Sequence, residues 1–101
     1  MEISNQTTNS NIEYFFKGNF TFSDNPLFKE ILDSMGNSKF TQVTFNLSGI
    51  GHIDSSALGM LLLAKDSAKK HNLNLYLKSP QGKVKLIFDI SKFYNLFNII
   101  D

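Results

Sequence analysis

Asp54, Ser55 and Ser56 follow one another in the chain, with His52 just ahead of them, and few residues elsewhere offer comparable chemistry. A serine, a histidine and an aspartate have the composition of an acyl-transfer triad. Residues this close along one loop seldom reach the mutual geometry such a triad needs, and no oxyanion element accompanies them. His52 and His71 are the only histidines, and neither has further ligands at metal-binding spacing, so no metal site and no cofactor are expected. A third chemistry fits better. If Asp54-Ser55-Ser56 opens a helix, the serines stand among unpaired backbone N–H groups at the positive end of the helix dipole. That environment suits an anion, and a serine hydroxyl becomes one by phosphorylation. Plain capping is the competing reading, because Asp and Ser are ordinary N-caps. Gly49, Gly51 and Gly59 do not make a phosphate-binding loop, since the Lys-Ser/Thr ending is absent. They are expected to serve tight turns ahead of the helix and close helix–sheet packing.

The elements around this cluster alternate. Met1 to Asn11 is rich in Asn, Ser and Thr and reads as a frayed tail or a weak edge strand. Strand propensity runs from Ile12 to Phe22, with Gly18-Asn19 as a bend or bulge. Asn25 as N-cap and Pro26 at N1 predict a helix, with Phe28, Ile31, Leu32 and Met35 on one face and Gly36 closing it in a left-handed conformation. Gln42 to Leu47 alternates as a strand, and a short loop leads from it to Asp54. A helix over Ser55 to Lys70 buries Ala57, Leu61, Ala64 and Ala68, widened by Leu58 and Leu62. Ser56, Met60 and Leu63 form the opposite, partly exposed flank. Leu73, Leu75 and Leu77 make a strand ended by Ser79-Pro80, Val84, Ile87 and Phe88 a helix, and Phe97 to Ile100 a short final strand. Strands separated by helices of this length predict an α/β fold: a small mixed sheet with helices packed on one face.

Composition narrows the class. A chain of 101 residues with ten phenylalanines supports one hydrophobic core. Ten basic against nine acidic residues leave a net charge of +1 and no clustered basic face, so no nucleic-acid partner is expected. The run Lys65 to Lys70 is broken by Asp66, Ser67 and Ala68, as on a solvated helix face, and His71 suits a helix C-terminus. The absence of cysteine excludes disulfides, thiolate metal sites and a cysteine nucleophile. The polar start is not expected to act as a signal peptide, and no apolar run approaches the ~20 residues that span a bilayer. A cytoplasmic protein without membrane insertion is expected.

The stretch Phe45-Asn46-Leu47-Ser48-Gly49-Ile50, with Asp54-Ser55-Ser56 and Leu58-Gly59, resembles the signature of STAS domains, the family of bacterial anti-sigma-factor antagonists. Pro80 with Val84-Lys85-Leu86-Ile87-Phe88, and Phe93 with Leu96-Phe97, are similar to the family's closing helix region. The likeness covers about Ile12 to the end, which implies one STAS-like domain over residues 12–101 after the tail of residues 1–11. It also implies a non-catalytic, partner-switching regulator. In the antagonist branch, a serine kinase of the anti-sigma type phosphorylates the serine after the Asp, and a PP2C-type phosphatase removes the phosphate. The unmodified form binds the kinase.

Carried onto this chain, the resemblance makes Ser55 the phosphoacceptor, with Ser56 a second candidate. Asp54, Asn46 and His52 would support the phosphosite, and Ser55, Ser56, Met60 and Leu63 would meet the partner. Asn46 stands where many members have Asp, Ala57 replaces a frequent Gly, and Thr21 falls where a Gly-x-x-Asp motif would place its Asp. Transcription and biofilm control are both possible outputs. A structural subunit of a transport or lipid-transport assembly is the alternative.

Overall fold

Residues 1–36 and 39–101 are described by the structure, a computed structural model. The chain runs β1 (Glu2–Thr8), β2 (Asn11–Phe20), α1 (Asn25–Met35), β3 (Gln42–Ile53), α2 (Ser55–Lys70), β4 (Asn74–Lys78), α3 (Gly82–Ile90) and β5 (Asn98–Ile100). Short 3-10 turns over Phe22–Asp24 and Phe93–Asn95 precede α1 and β5. The strands lie in the order β1-β2-β3-β4-β5. β1 is antiparallel to β2, and every later neighbour is parallel. The connections from β2 to β5 each step one strand in the same direction, and with the right hand that such crossovers take, the helices fall on one face of the sheet.

Alternation along β2, β3 and β4 sorts their side chains between that face and the uncovered one. Phe16, Val43, Phe45, Leu47 and Leu77 are buried under the helices. Phe16, Phe20, Phe28 and Phe45 form one aromatic cluster, with ring centroids between 5.1 and 6.2 Å apart. A second stack joins Phe88 to Phe93 at 5.1 Å and Phe93 to Phe97 at 5.0 Å. The uncovered face carries Phe15 and Tyr76 beside a polar group: Asn46 Nδ2 donates to Glu13 Oε2 at 3.0 Å, and Lys78 Nζ lies 3.6 Å from the same oxygen.

Several local expectations are corrected. β3 runs through Ser48-Gly49-Ile50-Gly51-His52-Ile53, where a connecting loop was expected. Its pairing with β2 slips twice, so that β3 carries an extra residue between Asn46 and Gly49 and again at Gly51. Such bulges shift the alternation, and Leu47, Ile50 and Ile53 all reach the core. Gly49 is therefore no turn residue: a Cβ there would lie 2.5 Å from the Phe16 carbonyl oxygen. Gly18, opposite the second slip, has φ +108° and does mark the expected irregularity.

β2 ends at Phe20, and Phe22 belongs to the following 3-10 turn. Helix α1 is capped at Asp24, one residue earlier than expected, so Asn25 is its first residue. The Asp24 carboxylate accepts from the Thr21 N–H at 2.9 Å and from the terminal amine at 3.2 Å. Gly36 has φ −69°, a right-handed value. Its lack of a side chain serves packing instead, since a Cβ would sit 3.2 Å from Cε1 of His71.

Candidate functional site

β3 and β2 both end beneath the start of α2. The Asp54 N–H donates to the Phe20 carbonyl at 3.2 Å, which fixes where the chain leaves the sheet. Asp54 is the N-cap of α2, in extended conformation with ψ 176°. Its Oδ1 accepts from the Ala57 N–H at 2.8 Å, and its Oδ2 accepts from the Phe22 N–H at 3.0 Å. One carboxylate thus fastens the helix to the turn ahead of α1. The Ala57 amide holds the Asp54 carboxyl below the usual carboxylate range, helped by the Phe22 and Ser56 amides and by His52 nearby, against an opposing effect of desolvation.

Ser55 is the first helical residue and is exposed, while Ser56 is half-buried. Among the described residues the Ser55 hydroxyl has no protein partner, so it faces outward above the first turn. His52 is exposed at the end of β3, and no hydrogen bond links it to Asp54 or Ser55 among the described residues. Asp54 is engaged instead by the Ala57 and Phe22 N–H groups, so the described residues hold no hydrogen-bonded Asp54–His52–Ser55 relay. No group of metal-ligating side chains is present among the described residues.

Asn46 is not brought to this site. It lies on the uncovered face of β3, roughly 20 Å down an extended strand from Ile53, where its Oδ1 accepts from the Ser48 N–H and hydroxyl at 3.1 and 2.7 Å. Met60 also departs from expectation: it is 4% exposed and belongs to the core, so it offers a partner no surface. Leu63 is exposed, and Leu62, expected to widen the buried side, lies at the surface beside it. Gly59 is exposed too, and a Cβ there would meet nothing within 4 Å, which removes helix–sheet packing as its reason.

The outward face of α2 is therefore Ser55, Gly59, Leu62 and Leu63, at i, i+4, i+7 and i+8. Phe22, 67% exposed on the turn held by Asp54, adds an aromatic ring beyond the helix start. Sequence reading missed Phe22 and Leu62, the first because it was placed in a strand. The signal for Leu62 is its helical spacing from Ser55 and Gly59, at i+7 and i+3, which places it on their face of α2.

A family model described as the STAS domain matches residues 2–101. The chain belongs to the STAS domain family. It is 34% identical over 83 residues to a STAS-domain containing protein of Pseudomonas aeruginosa strain UCBPP-PA14, covering 82% of this chain and 81% of that one. Among solved structures, the Thermotoga maritima protein TM1081, described as a candidate anti-sigma factor antagonist, superposes with a TM-score of 0.88 at 20% identity, over 98% of this chain and 86% of that one. The Bacillus cell fate determinant SpoIIAA in its phosphorylated form gives 0.74 at 14% identity, over 97% and 90%. These structural likenesses establish the STAS fold. No helix among the described residues is long and apolar enough to cross a membrane.

Proposed function

We propose that this STAS domain is a non-catalytic partner-switching regulator whose state is set by phosphorylation of Ser55. The observation that carries the reading is the exposed Ser55 hydroxyl at the first position of α2, without a partner among the described residues. It lies on the same outward helix face as Gly59, Leu62 and Leu63, with exposed Phe22 on the turn ahead of α1. A serine-kinase partner of the anti-sigma type docks over this face while Ser55 is unmodified. The kinase transfers the terminal phosphoryl group of its bound nucleoside triphosphate to Ser55 Oγ, the nucleoside diphosphate leaves, and the hydroxyl proton passes to a base of the kinase or to water. A PP2C-type phosphatase restores the hydroxyl by hydrolysis.

The consequence follows from charge. A phosphoserine carries nearly two negative charges and three strong acceptor oxygens. At the helix N-terminus the dipole favours it, and at the surface water solvates it, so the fold is kept. Asp54 adds a like charge alongside, and its oxygens are already committed to backbone donors. Under a docked partner, the same phosphate would be buried without a counter-charge beside exposed leucines, which is costly. Binding is lost while the domain stays folded.

The test is co-purification of the kinase partner with tagged protein expressed in its native cells. Ser55→Ala retains the partner and Ser55→Asp releases it. Equal retention by both variants would remove the switch and leave the structural-subunit reading in its place.

A further inference from the structure

We propose that the protein forms a symmetric dimer through β1, with the β1 strands of two copies paired antiparallel about a two-fold axis at Asn5. β1 is an edge of the sheet seven residues long, whereas β5 at the other edge has three. Its register with β2 runs without a slip from Glu2 to Thr8. It contains no proline and no lysine, and Glu2 is its only charge. The devices that keep edge strands apart are thus missing.

The hydrogen-bond parity of the hairpin selects the partner and the register. Thr8 and Asn11 flank a two-residue turn in which Asn9 has φ 53°, so they form a hydrogen-bonded pair. Counting back, Gln6, Ser4 and Glu2 also bond to β2, and Thr7, Asn5 and Ile3 turn their N–H and C=O groups outward. Asn5 is both the midpoint of the strand and one of these outward residues. A second copy reversed about Asn5 therefore sets Asn5 against Asn5, Ile3 against Thr7 and Thr7 against Ile3. All three outward residues find outward partners, giving about six inter-chain backbone hydrogen bonds. Side chains agree with this register. Glu2 falls opposite Thr8 and Ser4 opposite Gln6, so no like charges meet. A second copy is the occupant because the strand is its own complement: reversed about Asn5, every outward residue meets an outward residue and Glu2 meets the uncharged Thr8. The pairing joins two five-stranded sheets into one and leaves the Ser55 face of each copy free.

Sedimentation equilibrium of the full chain from micromolar to millimolar concentration tests this. The wild-type mass rises from 11.4 kDa toward twice that value. Asn5→Pro removes an outward N–H without breaking a bond to β2, so it stays monomeric and still unfolds cooperatively. Asn5→Lys opposes two ammonium groups across the axis and is likewise monomeric, which settles the matter should the proline variant fail to fold. Leu63→Asp remains dimeric. A wild type that stays at 11.4 kDa throughout, or Asn5 variants that dimerise like the wild type, would overturn the proposal.

Discussion

Both carboxylate oxygens of Asp54 are held by backbone donors, from Ala57 and Phe22, and this makes the residue a clamp at the base of the proposed phosphosite. Its lowered pKa has a consequence for stability. The folded value lies below the unfolded one, so the ionised carboxylate favours the fold. That contribution is complete above about pH 4 and is lost as pH falls through the folded value. Asp54→Asn keeps a capping side chain but has no charge to titrate. Thermal midpoints of wild type and variant are expected to run parallel from pH 7 to 5 and to converge below about pH 4. Curves that stay parallel into acid would show that Asp54 is not held as described. The contrast between exposed Ser55 and half-buried Ser56 belongs to the same scale, because one position along a helix start rotates a side chain by about 100°.

Helix α2 presents two faces with opposite demands. Leu61 is 0% exposed and Met60 4%, while Leu63 is 56% exposed. Leu61→Asp places an unpaired charge in the core and is expected to unfold the domain. Leu63→Asp is expected to change stability by no more than about 0.5 kcal/mol while weakening partner binding. Circular dichroism melts and a binding assay separate these outcomes, and equal unfolding would displace the proposed docking face. Gly59→Ala sharpens the point. Alanine is favoured over glycine inside a helix by about 1 kcal/mol, and nothing lies within 4 Å to obstruct a Cβ. The variant should melt higher and bind the partner less well, since the bare patch beside Ser55 is filled. A variant that melts higher and binds equally would place the partner elsewhere.

Element order was readable because α1 and α2 carry clear helical periodicity and β4 alternates cleanly. The far half of β3 was not, because two bulges replace alternation with Leu47, Ile50 and Ile53 at three-residue spacing. The same spacing, interrupted by Gly49 and Gly51, looks like a loop from sequence alone. Met60 was misplaced because the buried arc of α2 is wider than the alanine stripe suggested, reaching Met60 on one side and stopping short of Leu62 on the other. Asn46 could be assigned to the phosphosite only by resemblance, since strand length and face depend on pairing.

At the scale of the molecule, the parallel strands β2 to β5 with their three crossover helices bury the aromatic clusters, and β1 is a mostly exposed addition at one edge. Deleting residues 1–10 should leave a cooperatively unfolding domain with a lower midpoint, because Ile3 is lost from the rim of the core. The same deletion should abolish the dimer. Loss of cooperative unfolding in a differential scanning experiment would make β1 a requirement of the fold. The account's central claim is that the switch is a phosphate on the first residue of α2, and phosphopeptide mapping of the protein from its native cells tests it most directly. The expected result is phosphate on Ser55, absent from the Ser55→Ala variant and unaffected in Ser56→Ala. Phosphate on Ser56 alone, or on neither serine in cells with an active cognate kinase, would contradict it.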